Sequence, residues 1–453
     1  MEDLKKTVLF ERTPIPKAFF KLTIPTVLAS LVMIIYNLAD TFFVGMLNDS
    51  VQNSAVTLAA PVMMAFYGIT NLFGVGSSSM MSRALGRHDY ETVYKSSSFG
   101  FWCGTSCALL LSACTTLFKM PLLAVLGVTE VTEKATSAYM LWTVTFGAVP
   151  SIVNVLLSNM VRAEGSAFHA SIGTMSGCIM NIVLDPIFIL PQFLGMGAAG
   201  AGLATFLSNC FACIYYLVLL TVRRGKTYVC VDPRKFTLDK YIVKGVLGVG
   251  VPAAIQNLLN VFGMTVFNNC TAVFGPDAVA GMGIAQKINQ VPFSVAMGLS
   301  QGVMPLIGYN YASGNIKRMK ETVSFSAKIS IAFLAVVTVI IRFNSETLVR
   351  LFMDNDVIVE IGARILRGFC YTLVFLAVDF LAVGIFQACG KGSMSFVFAV
   401  LRKVVFEIPF IIIFNRAVPL YGLAYTQTFA EIILCIIAII VLARFFRKIE
   451  KKE

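Results

Sequence analysis

Apolar stretches long enough to cross a bilayer as helices recur along the whole chain, separated by short polar connections. They lie at roughly 18–46, 52–84, 92–118, 133–160, 168–190 and 198–222, then at roughly 244–274, 278–308, 318–343, 357–388, 393–415 and 422–446. The longest polar stretch, RRGKTYVCVDPRKFTLDK (223–240), separates the two sets. The pattern predicts an all-α integral membrane protein with twelve transmembrane helices. An N-lobe would cover 1–222, a cytoplasmic linker 223–243 and a C-lobe 244–453. The first residues, MEDLKKTVLFERTPIPK, hold no apolar run followed by a small-residue cleavage site, so no cleaved signal is expected.

Composition agrees and narrows the options. Of 453 residues, 57% are hydrophobic and 13% charged, about half the charged fraction of a soluble domain. An ordinary cytosolic enzyme is excluded. The net charge of +12 depends for its meaning on where the basic residues fall. Counting alternate loops as inward and outward leaves only Lys119, Lys134, Arg342, Arg350 and Arg416 outside. Lys5, Lys6, Arg12, Lys17 and Lys21, the linker cluster from Arg223 to Lys244, and Arg444 to Lys452 all fall inside. The excess is a topology signal, with both termini and the linker on the cytoplasmic side of a cell membrane, and not a nucleic-acid surface.

Enzymatic alternatives find little support. Cys210 and Cys213 form a CxxC, but inside an apolar run they read as packing residues. His88 and His169 are too few for a histidine metal cluster. GKT at 225–227 and GKG at 390–392 lack the earlier P-loop glycine, since Leu220 and Ile385 stand there. No cofactor is expected, and an ion gradient is the simpler energy source.

The halves resemble each other. KLTIPTVLAS (21–30) parallels GVGVPAAIQN (248–257), setting Pro25 against Pro252. GSSSMMSRALGRHDYETVYKSSSF (76–99) parallels GVMPLIGYNYASGNIKRMKETVSF (302–325), and RAEGSAF (162–168) parallels QACGKGS (387–393). An even number of spans per repeat gives both the same orientation, as parallel six-helix repeats around a central cavity.

A carboxylate within a span costs about 2.5–3.5 kcal/mol on insertion scales, so each one needs a reason. Asp40 closes the first run, one turn after Tyr36 and Asn37. Asp185 sits in MNIVLDPIFIL with Asn181 four residues before it on the same face, and Thr205 offers a hydroxyl from the sixth run. Two acids, an amide and a hydroxyl in an apolar lobe suit a proton or a hard cation. Pro25 frees a carbonyl in the first helix and gives it a bending point. In the second half, Asp379 either faces the cavity or pairs with a buried base such as Lys287. Gln256, Asn260, Lys287, Met282 and Phe293 are candidate cavity residues for cationic and amphipathic molecules. Glu407 beside Arg402 and Lys403 reads as a structural ion pair, and Glu431 is open to either reading.

GLSQGVMPLIGYNYASGNIKR (298–318), RAEGSA with NIVLDPIFI (181–189), and IPTVLASLVMIIYNLADTFFVG (24–45) resemble the multidrug and toxic compound extrusion (MATE) family of antiporters. The resemblance covers nearly the whole chain. It implies export of organic cations and amphipathic drugs in exchange for protons or sodium ions. It also implies an ion site at Asp40, Asn181, Asp185 and Thr205 with Tyr139 beside it, sodium lying among the first three. Asp379 resembles a C-lobe aspartate of some members, but Asn260 stands where they carry a glutamate. A monomer in the lipid bilayer is expected. A flippase for lipid-linked precursors would need a strongly basic cavity, and an ion channel a repeated filter loop; neither is visible in the sequence.

Overall fold

A computed structural model of the chain describes residues 2–451. Among them every regular element is helical. The spans run Ile15–Gly45, Ser50–Gly86, Tyr90–Leu117, Glu130–Ala163, Ala167–Ile189 and Ala198–Val222. A second series follows: Lys240–Ala272, Pro276–Ala312, Ile316–Arg350, Asp356–Ala388, Gly392–Ala417 and Leu423–Glu450. Each helix of the second series begins about 225 residues after its counterpart, the register the paired motifs predict. Among the described residues nine helices pass as apolar spans outright and two more as bent pairs. The eleventh, Gly392–Ala417, carries Arg402, Lys403 and Glu407 in its middle and is less apolar for that reason.

The spans are less regular than hydropathy suggests. The fourth bends by 47° between Phe146 and Ala148, and the tenth by 44° between Cys370 and Thr372. Widened π turns occupy Asn71–Val75, Leu141–Phe146 and Leu401–Glu407. Such turns insert an extra residue into the helical ladder and are frequent at functional positions. The first residues also form a helix, Glu2–Glu11, where the sequence suggested only a polar lead-in. Its Leu9 and Phe10 are buried, and Phe10 lies against Gly165.

The chain divides into two compact units. One comprises the residues up to Arg12 with Leu28–Ala254, the other Thr13–Val27 with Ile255–Glu453. The first and seventh spans therefore each change unit partway along, two residues after Pro25 and Pro252. In the first span Thr23 and Thr26 hydrogen-bond back to the carbonyls of Phe19 and Leu22. Together with the ring of Pro25 these bonds loosen the helix where it changes unit.

Within the first unit, the 223–240 linker is a fixed part of the structure. Glu164, 2% exposed, accepts from the Tyr228 N–H at 2.7 Å and the Thr227 hydroxyl at 3.0 Å. Trp102 Nε1 donates to the Val231 carbonyl, and Tyr228 stacks on Tyr90. Asp89 caps the third span, and its bonds to Thr92 hold its carboxyl below the usual range.

Close helix approach rests on glycine. A Cβ on Gly250 would run into the Leu72 carbonyl, whereas one on Gly248 would meet nothing within 4 Å. Gly250→Ala is therefore expected to lose about 1–3 kcal/mol of stability. Gly248→Ala should be neutral or gain about 0.5–1 kcal/mol from helix propensity. Thermal unfolding of the two variants in detergent checks this, and equal melting temperatures would contradict it.

Candidate functional site

In the first unit the fifth span presents Asp185 and Asn181 one turn apart, 0% and 1% exposed. Pro186 follows directly and weakens the helical ladder beside the acid. With its amide nitrogen turned towards the acid, Asn181 donates to Asp185 Oδ2 at 2.8 Å. Its oxygen then accepts from the Thr205 N–H at 3.1 Å. Turned the other way, the nitrogen reaches only the Thr205 hydroxyl, at 3.3 Å. The first orientation suits an ionised Asp185, since a carboxylate can only accept.

The remaining members come from three other spans. Asp40, half-buried near the end of the first span, stands within electrostatic reach of Asp185. Its Oδ1 is buried without a hydrogen-bond partner. Tyr139, 8% exposed, ends a helical segment just before the π turn Leu141–Phe146 and faces both acids. Tyr36, one turn before Asp40, stands within electrostatic reach of Asp40 and Tyr139 and close to the Thr205 side chain. Neither acid forms an ion pair with a base among the described residues. Glycine permits this approach: a Cβ on Gly202 would sit 2.9 Å from the Tyr139 carbonyl. Glycines in the stretch 195–204 thus allow close helix packing.

The structure brings Asp40, Asn181, Asp185, Thr205 and Tyr139 together, and adds Tyr36. Oxygen donors of this kind match a proton or a small hard cation. Among the described residues no group of three or more His, Cys, Asp or Glu side chains is placed to hold a metal.

The second unit differs from the sequence expectation. Asp379 is 1% exposed and pairs with Arg402 of the eleventh span, Nη1 to Oδ2 at 3.4 Å. It neither faces open space nor pairs with Lys287, which is exposed. Arg402 also forms an ion pair with Glu431, Nε to Oε1 at 2.6 Å, and lies 5.1 Å over the Phe380 ring. Lys403 and Glu407 pair with each other at 2.7 Å, as the sequence suggests. Met282, 2% exposed, belongs to the packed core and not to an exposed wall. Phe293 packs edge-on against Phe380 with centroids 5.0 Å apart. Gln256 accepts from Gln387 at 3.3 Å, and Asn260 is half-buried on the same helix.

Comparison with known proteins agrees with this architecture. The sequence model of the MatE family matches residues 25–187 and again 252–413, once in each half. Multidrug export protein MepA of Staphylococcus aureus (strain MRSA252) is 31% identical over 434 residues, covering 95% of this chain and 94% of that one. Its Staphylococcus haemolyticus counterpart is 30% identical over 434 residues, with the same coverage. Among solved structures, an outward-facing MATE family transporter of the MOP superfamily superposes with a TM-score of 0.90 at 26% identity, over 98% of both chains. A MATE transporter bound to MaL6 gives 0.91 at 25% identity, over 99% of both.

Proposed function

Because this chain belongs to the MatE family, we propose that it exports cationic and amphipathic compounds by secondary antiport, driven by protons or sodium ions. The observation that carries this reading is the pair of acids, half-buried Asp40 and buried Asp185, set among Asn181, Thr205 and two tyrosines without a base. Two carboxylates so placed repel each other, and a proton or sodium ion bound between them cancels the repulsion. A site that carries two facing negative charges when empty and one when loaded gives the ion different affinities in two conformations, which exchange requires. The multidrug export proteins among its relatives support drugs as the cargo.

Cations should be preferred, because Asp40 and Asp185 have no ion-pair partner among the described residues and exposed aromatics such as Tyr67 accept flat apolar bodies. In everted vesicles, lipophilic monovalent cations are expected to be taken up at least ~10-fold faster than anionic drugs of similar size. That ratio corresponds to about 1.4 kcal/mol of electrostatic preference. Clamping the proton and sodium gradients separately identifies the driving ion. Equal uptake of cations and anions, or uptake indifferent to both gradients, would sink the reading.

We further propose that both termini and the linker face the cytoplasm of a cell membrane, as the basic residues require. Position 225, at the exposed tip of the linker turn, is the test site. A cysteine placed there on a cysteine-free background should resist impermeant reagents applied to intact cells. Prompt labelling would reverse the orientation.

A further inference from the structure

Four arginines of the second unit, Arg342, Arg350, Arg364 and Arg367, stand where the ninth span ends and the tenth begins. Arg350 pairs with Asp354 and Asp356, and Arg367 with Glu346. Arg342 and Arg364 form no ion pair among the described residues, and neither does Glu360, one turn before Arg364. Tyrosines hold these two arginines instead. Arg342 donates from Nε to the Tyr371 hydroxyl at 2.9 Å, with Tyr425 within electrostatic reach. Arg364 lies 4.1 Å over the ring of Tyr421, one turn before Tyr425.

These contacts leave donors unused. The Nη edge of Arg342 has no hydrogen-bond partner among the described residues. The Tyr371 proton is free as well, because that hydroxyl accepts from Nε. An open guanidinium edge offers parallel N–H groups to a pair of oxygens, the arrangement that suits phosphate.

The bends of the two helices set the place. The ninth span leaves helical geometry at Asn344 (φ −113°, ψ 17°), and the tenth bends between Cys370 and Thr372. Arg342 and Tyr371 therefore meet at one elbow. Tyr425, the third residue of the twelfth span, puts this elbow at the level where that span begins. Arginine and tyrosine at a span's edge belong to the bilayer interface. Beside them Val339, Ile340 and Phe343 of the ninth span and Phe429 of the twelfth are exposed, Phe343 by 80%. A free phosphate would engage only the polar part of this surface, whereas a phospholipid engages both parts. A zwitterionic headgroup would also bring a second cation against Arg364; an anionic one would not.

We propose that this elbow binds the phosphate of an anionic phospholipid, in the leaflet opposite the 223–240 linker. Arg342, Arg364 and Tyr371 meet the headgroup, and the apolar flank meets the acyl chains. The site does not depend on the antiport reading. A basic residue at a membrane surface adds about fivefold to the preference for an anionic lipid.

Photo-crosslinking tests it. The full chain is placed in phosphatidylcholine nanodiscs with a trace of phosphatidylglycerol carrying a diazirine in its acyl chain. Adducts mapped by peptide mass spectrometry are expected near Phe343 and Phe429. They should exceed those from a phosphatidylcholine probe with the same chains by ~5-fold or more. Arg342→Gln combined with Arg364→Gln should bring the two probes level, and Tyr371→Phe should lower the excess partway. All three side chains are exposed, so folding should survive, and gel filtration verifies it. Arg350→Gln removes a paired arginine nearby and should leave the labelling unchanged. Unlabelled phosphatidylglycerol should displace the probe, and millimolar inorganic phosphate should not. Equal adducts from both probes, labelling indifferent to the double variant, an equal loss in Arg350→Gln, or displacement by inorganic phosphate would each overturn the proposal.

Discussion

Asp40→Asn and Asp185→Asn should each abolish gradient-driven export while the protein still folds and enters the membrane. The amide keeps the volume of the acid, so packing around the fifth span is undisturbed. At position 185 it can still accept from Asn181, whose amide nitrogen lies 2.8 Å from Oδ2. What is lost is the charge. With one acid neutral, the repulsion that distinguishes the loaded from the empty state disappears, and the ion no longer shifts the conformational balance. Coupling free energies between ligands are typically 1–3 kcal/mol, so driven transport should fall ~5–150-fold, towards the passive leak. Drug binding in detergent should persist at least in part, because neither substitution removes an aromatic or methionine side chain. Uptake into proteoliposomes under an imposed gradient, beside binding measured on the same preparations, separates the two effects. Wild-type rates in both variants would place coupling elsewhere.

The second large effect belongs to Arg402. Arg402→Met fills a similar volume but leaves Asp379 and Glu431 facing each other without their shared cation, at 1% and 0% exposure. Removing one partner of a buried ion pair costs about 3–5 kcal/mol, because the remaining charge has lost both water and counter-ion. Against a net stability of about 5–15 kcal/mol this is severe, and little folded protein should accumulate. Restoring neutrality is the informative control. Arg402→Met combined with Asp379→Asn and Glu431→Gln should recover most of the loss, since no bare charge is then buried. Fluorescence-detected gel filtration after graded heating measures both variants. A single variant as stable as wild type, or a triple variant no better than the single, would contradict the assignment.

The spans were legible in the sequence because each needs a long apolar run whatever its neighbours are, and the motif pairs fixed the repeat. The acids of the first unit were legible too. Asp185 and Asn181 share a helical face by spacing alone, and an unshielded acid in a span demands explanation. The partner of Asp379 was harder to read. Arg402 and Glu431 lie on different helices from Asp379, and sequence spacing does not say which base in a bundle turns towards which acid. Lys287 was equally eligible by composition. The bends at Gly147 and Tyr371 were hidden because hydropathy measures length and composition but not direction. Met282 was misplaced for a related reason: a methionine beside a presumed cleft has the same composition as one packed in the core behind it.

The two matching bends also bear on ancestry. The fourth and tenth spans turn by nearly the same angle at corresponding positions of the repeat, although only the fourth carries a π turn and a nearby proline there. A shape that persists after its local sequence cause has diverged is inherited, so the bend predates the duplication that joined the halves. The ancestor would then have been a six-span chain whose two identical copies entered the membrane the same way up. In that symmetric pair both lobes had the same acids and bases. The unpaired acids of one half and the arginine-bridged acids of the other are the divergence that followed, once a single gene let the two copies mutate separately.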